Sequence, residues 1–306
     1  MAPAPTIPAK LSHPRLFDIA PRERLFARID ASRSHPAIWI DGPAGAGKTS
    51  LLAGYIEARG IAAHWYQVDS GDADLATFFY YLRALPGLPA DQPALPLFAA
   101  EYQNDAPAFA RRFFRALFSQ LGPSALLVLD NLQEASTNPA FAAILREAIE
   151  QVPDGVNLLL VSRWGPPATL ARLLAQQAIA RIGWPELQLS AEETGVIAGL
   201  EPGRDAARIT GLLAACGGWA AGLTLMLARP LDDGEPADAR EASFDFLAAE
   251  ILDRSDAATR AFLLASWPLP RLTPALAGEL TGHADAAGIL SELFRQNYFI
   301  ERHLGP

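Results

Sequence analysis

Lysine is nearly absent from this chain: arginine supplies 23 of its 25 strong cations, and Lys10 and Lys48 supply the rest. Lys48 lies in Gly42-Pro43-Ala44-Gly45-Ala46-Gly47-Lys48-Thr49, a complete G-x-x-x-x-G-K-[ST] pattern. Glycines let consecutive backbone N–H groups turn inward around phosphate oxygens, and the positive end of a following helix, here opening through Ser50, adds to that field. Lys48 is placed to reach the β- and γ-phosphates as a compact charge, and the Thr49 hydroxyl to ligate Mg²⁺. The plain alternative, a Gly-rich turn that only caps a helix, does not account for Lys and Thr standing at the required spacing in a chain with two lysines. The chemistry implied is binding of a nucleoside triphosphate or its product.

Further along, Leu126-Leu127-Val128-Leu129 is an apolar run ending in Asp130. A carboxylate at the C-terminal end of a parallel strand is where a phosphate-loop fold organises Mg²⁺, so Asp130 joins Thr49 as a candidate metal residue. Asn131 follows it. Many related ATPases carry a second acid there to orient or deprotonate water, and an amide can hold a water without acting as a base. Glu134 could serve in its place if the turn brings it back, or it could be a solvated residue opening a loop. Slow hydrolysis is the expectation. Arg163, after another apolar run ending in Ser162, offers a bidentate fork for a γ-phosphate; the alternative is a surface or interdomain ion pair. The catalytic set is thus Lys48, Asp130, Glu134 and Arg163.

Other polar clusters read as structure. Asp69, Asp72 and Asp74 suit capping and turns. The five His and the single Cys216 have no zinc-site spacing and no Ser-His-Asp arrangement. Phe109, Phe113, Phe114, Leu117 and Phe118 recur at helical spacing and read as core, not as a platform for bases.

The elements that would position these residues alternate. Ala37–Ile40, Ala62–Val68, Ala125–Leu129 and Val156–Val161 read as strands, and Ser50–Arg59 and Pro139–Glu150 as helices. Residues 86–97, with four prolines, read as a surface loop, and Met1–Lys10, rich in Ala and Pro, as a loose arm. Fully apolar strands alternating with helices predict a parallel sheet covered on both faces. From about residue 186 helical patterns take over: Ala191–Leu200, Asp205–Ala214, Gly218–Ala228, then Phe244–Leu252, Ala257–Ser266, Pro274–Leu280 and Ala286–Arg295. Residues 230–236 read as a linker, and Tyr298–His303 as a strand shortly before the last residue, which reads as a domain cut short.

A chain of 306 residues with 50% hydrophobic content can bury a large core, and 19% charged residues argues against wholesale disorder. A net charge of −9 and a pI near 5.1 argue against a broad nucleic-acid-gripping face. No apolar run reaches membrane-spanning length, and one cysteine fits a reducing compartment, so no membrane contact and a cytoplasmic location are expected.

Taken in order, Gly42–Thr49, Leu127-Val128-Leu129-Asp130-Asn131, Val161-Ser162-Arg163, Gly217-Gly218-Trp219-Ala220-Ala221-Gly222-Leu223 and Phe244–Leu252 resemble the signal-transduction ATPases with numerous domains (STAND, related to NACHT and NB-ARC proteins). The likeness is to the branch around the maltose-regulon activator MalT and the large ATP-binding LuxR-type regulators, and it runs from about His13 onward. The resemblance implies an α/β P-loop NTPase sheet flanked by helices (31–185), a small helical domain (186–235) and an incomplete winged-helix domain (236–306). Residues 1–30 would form an arm and an adenine-side segment. It implies ATP or ADP with Mg²⁺ as cofactors, with Gly42–Ser50 around the phosphates and Arg15, Leu16 and Phe17 near the adenine. It implies self-association in the ATP state, inducer-sensing and effector domains outside this segment, and no direct nucleic-acid contact by it. Two departures stand out. Ala220 occupies the place of the usual Pro in the Gly-Trp-Pro motif, and the winged-helix His that reads the ADP β-phosphate would lie beyond Pro306 unless His303 substitutes.

The leading expectation is an ATP/ADP-dependent switch, a signalling or transcription regulator's nucleotide-binding and oligomerisation module. Alternatives are an AAA+-like catalytic or motor ATPase, a phosphate-transferring enzyme, and a hydrolysis-dead scaffold. A guanine-reading N-K-x-D motif is absent from the sequence.

Overall fold

The computed structural model describes residues 7–15, 19–89, 92–136, 138–201, 203–227, 256–266, 273–282 and 285–295. The Phe244–Leu252 helix, the 230–236 linker, the terminal strand with His303, and the adenine-side residues Leu16 and Phe17 lie outside them. The chain forms two compact units, one of 1–42 with 47–187 and one of 43–46 with 188–306.

The first unit is built on five parallel strands: β1 (Ala37–Asp41), β2 (Ala63–Gln67), β3 (Leu126–Asp130), β4 (Asn157–Ser162) and β5 (Ile179–Ile182). Their order is β2-β3-β4-β1-β5. Every residue of β1, β3 and β4 is buried, as strands covered on both faces require. Parallel register sets Asp41 level with Ser162 and Leu129 level with Leu160, so Asp41, Asp130 and Ser162 all reach one edge of the sheet. That carboxyl edge is where open α/β sheets hold their ligands.

The helices are α1 (Glu23–Ser32), α2 (Lys48–Arg59), α3 (Leu75–Leu82), α4 (Ala106–Phe118), α5 (Pro139–Glu150), α6 (Ala171–Ala175) and α7 (Trp184–Leu187). Asp69 and Asp72 form a capping box on a short 3₁₀ turn, and Asp74 caps α3. The core under β2 and β3 is aromatic. Phe79 of α3 meets Phe109 and Phe113 of α4 edge-on, with ring centroids 4.8 and 4.9 Å apart. The phenylalanine stripe of α4 is wholly buried there, as the sequence predicts.

Two features depart from the expectations. The Ala/Pro-rich arm is not loose at its end: Ala9–Leu11 forms a 3₁₀ turn, and Lys10 pairs with Asp69 and the buried Asp72 at 2.8 and 2.9 Å. An ammonium facing two carboxylates and the Tyr66 and Tyr81 rings has reason to stay. Helix α1 and edge strand β5 are the other additions, and α1 buries Leu25, Phe26 and Ile29 on one face.

In the second unit, α8 (Ala191–Ala198), α9 (Ala206–Cys216) and α10 (Ala220–Leu227) enclose a small core of Leu189, Cys216, Leu223 and Met226. Ser190 and Glu193 form the capping box that starts α8. Three further helices, Ala257–Ser266, Pro274–Thr281 and Ala286–Arg295, pack around Phe262, Ala277, Ala286 and Leu293. No single described helix is long and apolar enough to cross a membrane.

Candidate nucleotide site

Buried β1 delivers the chain to Gly42, and the loop then turns through two left-handed glycines, Gly45 (φ +70°) and Gly47 (φ +81°). A side chain would strain both, which is why the pattern spells Gly there. Helix α2 begins at Lys48 immediately after Gly47, so the amides of its first turn, Ser50 included, have no intrahelical carbonyl to bond. The Lys48 ammonium donates to the Gly42 carbonyl at 2.6 Å.

Thr49 makes the decisive link. Its hydroxyl donates to Asp130 Oδ2 at 2.8 Å across 81 residues of sequence, and the Asn131 amide donates to Asp130 Oδ1 at 2.9 Å. Asp130 is 1% exposed, and burial raises its pKa against the pull of Thr49, Asn131 and Lys48. Lys48 is pushed down to about 8, first by burial, with Arg163 adding to the fall and Asp130 and Asp41 opposing it. These couplings place Lys48, Asp130, Arg163 and Asp41 in one electrostatic neighbourhood. The hydroxyl–carboxylate pair beside a left-handed glycine loop suits a Mg²⁺–polyphosphate: Thr49 and Asp130 would hold the cation, and Lys48 with the loop amides the phosphate oxygens. A cation there would supply charge for the phosphate oxygens and relieve the cost of the buried carboxylate.

Beyond Asp130 the backbone does something unusual. Asn131 adopts φ +64°, a left-handed conformation that Asn tolerates better than most residues. The chain then runs into a 3₁₀ turn, Leu132–Ala135, which carries Glu134. Gln133 in that turn is 8% exposed and accepts a hydrogen bond from the Arg163 backbone amide at 3.1 Å. Its side-chain nitrogen lies 3.4 Å from both Asn131 Oδ1 and Glu134 Oε1.

The structure therefore gathers Lys48, Thr49, Asp130, Glu134 and Arg163 at one end of the sheet. Arg15 is exposed and has no contact tying it to that cluster among the described residues. Beside it, His13 and Pro14 line a 320 Å³ cavity with Ala53, Ile56 and Glu57, along the middle of α2 rather than at its start. Sequence reasoning missed Gln133, and also Asp41 and Arg181, which pair through two bonds of 2.7 and 2.8 Å. An acid one residue before Gly42 was the available signal for Asp41.

Pro43–Ala46, the loop's tip, belongs to the second compact unit. There the Trp219 indole donates to the Ala44 carbonyl at 2.8 Å, and the Ala221 amide to the Gly45 carbonyl at 3.0 Å. Ala220 is the first residue of α10.

Comparison with known proteins gives the following. The MalT winged helix domain family matches residues 248–305. The Walker-type ATPase paby2304 of Pyrococcus abyssi is 13% identical with a TM-score of 0.60, the match covering 92% of this chain and 90% of that one. The ORC1 protein of Aeropyrum pernix, in complex with DNA, is 15% identical with a TM-score of 0.48, covering 92% and 85%. AMPPCP-bound DnaA from Aquifex aeolicus is 14% identical with a TM-score of 0.39, covering 91% and 89%. The fold of the sheet-bearing unit is that of a P-loop ATPase, and residues 248–305 are similar in sequence to the MalT winged helix domain.

Proposed function

We propose that this chain is an ATP/ADP-controlled switch of the STAND type, the nucleotide-binding and oligomerisation module of a signalling or transcription regulator. The Thr49–Asp130 hydrogen bond under the Lys48 loop carries the reading, because it assembles the Mg²⁺-phosphate residues from two distant stretches of sequence. Slow hydrolysis follows from Asn131, an amide where a second acid would act as base, with Glu134 as the nearest carboxylate on the same turn. The match of residues 248–305 to the MalT winged helix domain supports a regulator over a metabolic kinase. In this reading the protein works in the cytoplasm and self-associates with ATP bound. It passes the signal to inducer-sensing and effector domains outside residues 1–306, and DNA contact belongs to the effector; the net charge of −9 supports that division.

The test is a titration of the purified chain with fluorescent ATP and ADP analogues, with its mass followed by light scattering. Lys48→Ala should abolish binding while circular dichroism stays unchanged, and ATP should raise the mass of the wild-type chain only. Retained affinity in Lys48→Ala would remove the site. Rapid turnover by a chain that stays monomeric would favour the catalytic ATPase instead.

A further inference from the structure

The Gln133 side chain touches three groups at the ends of two different strands. Its carbonyl oxygen takes the Arg163 backbone N–H at the end of β4. Its amide nitrogen sits at 3.4 Å from Asn131 Oδ1 and at 3.4 Å from Glu134 Oε1, both beyond the end of β3. An amide is suited to this position, since it presents an acceptor on one side and two donors on the other. The Gln133 backbone is pinned as well: its carbonyl accepts from the Ser136 hydroxyl at 2.7 Å, and the residue is nearly removed from water. A buried amide with both ends engaged cannot shift one partner without moving the others.

We propose that Gln133 is a positioning residue that couples nucleotide reading at Arg163 to the placement of Asn131 and Glu134. A γ-phosphate that draws on Arg163 acts on a backbone segment whose N–H is held by Gln133. That displacement reaches Glu134 and Asn131 through the same amide, so the groups facing the attacking water are set in place when ATP, rather than ADP, is bound. This inference rests on the reading of residues 42–49 as a nucleotide site and adds to it the path by which the bound state reaches the hydrolytic groups. The hydrolysis it regulates is attack of water on the γ-phosphorus, breaking the bond to the β–γ bridging oxygen and giving ADP, phosphate and a proton.

Two variants separate the halves of the device. Gln133→Glu keeps an acceptor for the Arg163 N–H but turns the donor end into a carboxylate against Glu134. It should lower kcat about tenfold and leave the ratio of ATP to ADP affinity within about twofold of wild type. Gln133→Leu removes both ends and should lower kcat and also shrink the ATP/ADP affinity ratio by about tenfold, with ADP affinity itself unchanged. A role confined to stability would move the melting temperature and both nucleotides together and would leave the two variants alike. The inference falls if Gln133→Leu keeps the wild-type affinity ratio, or if ATP and ADP weaken equally in it. A wild-type chain that binds neither nucleotide overturns the site itself, and the inference with it; a wild-type chain that discriminates while Gln133→Leu discriminates equally overturns the inference alone.

Discussion

Two glycines with similar positive φ make a comparison of what the loop's tip requires. Gly60 ends α2 at φ +61° with nothing within 4 Å of where a Cβ would lie. Gly45 has φ +70°, but a Cβ there would fall 2.5 Å from Ala221 Cβ and 3.0 Å from Trp219 Nε1. The indole cannot withdraw, because it rests against Gly222, where an added Cβ would lie 2.5 Å from the ring. Gly60→Ala should therefore cost the left-handed strain alone, about 1–2 kcal/mol. Gly45→Ala adds overpacking, about 1–3 kcal/mol, and endangers the hydrogen bonds to the Ala44 and Gly45 carbonyls, about 0.5–1.5 kcal/mol each, for roughly 3–8 kcal/mol in all. Urea unfolding followed by tryptophan fluorescence measures the stabilities, and titration with a fluorescent ATP analogue measures the loop. Gly60→Ala should bind as wild type, whereas Gly45→Ala should lose most of its affinity, because its amides can no longer hold their inward turn. If both variants unfold at the same urea concentration and bind ATP alike, the close packing around Gly45 does not shape the phosphate loop.

Other expectations follow from single groups. Arg163→Ala should weaken ATP about tenfold or more and ADP little, since only ATP offers a γ-phosphate to the guanidinium; equal losses by calorimetry would remove the sensing role. Chelation of Mg²⁺ should weaken ATP binding by the wild-type chain and make little further difference in Asp130→Asn, whose side chain keeps its shape but lacks the charge; undiminished chelator sensitivity in that variant would place the cation elsewhere. His64 is half-buried against the Pro86 carbonyl, and that partial burial lowers its pKa. With the folded pKa below the unfolded value of 6.5, the unfolded chain binds the proton first, so stability is lost as pH falls below about 6.5. His64→Gln should flatten the stability profile between pH 7 and 5, and a profile as steep as wild type would show that another group controls it.

How much of this was legible in the sequence depended on whether a residue's meaning was local. The runs that became β1, β3 and β4 are apolar throughout because both of their faces are covered, and they were read almost to the residue. Strand β5 was not, because Ile-Ala-Arg-Ile at a sheet edge spans only four residues and leaves Arg181 partly in solvent. Helix α1 escaped notice inside a segment dominated by its Ala/Pro-rich start. Lys10 looked idle because its partners, Asp69 and Asp72, lie about 60 residues away, and the Asp41–Arg181 pair spans 140.

Gln133 shows the limit most clearly. As one polar residue among several after a strand, beside Glu134 and two from Asn131, it has nothing in its neighbourhood to separate it from a solvated loop glutamine. Its burial depends on Asn131 accepting a left-handed turn, which sends the chain back over the sheet edge in a 3₁₀ turn instead of out into solvent. The donor to its carbonyl oxygen, the Arg163 N–H, depends on parallel register, which sets Leu129 beside Leu160 and so brings the start of that turn alongside the residue after Ser162. The substitution that looks like a loss in sequence, an amide where a second acid is usual, is thus also the residue whose backbone tolerance builds the turn. A replacement at 131 that cannot hold φ +64° would disturb Gln133, Glu134 and Arg163 together, so nucleotide discrimination should fall in Asn131→Val and survive in Asn131→Gly, while hydrolysis should fall in both, the glycine having lost the amide.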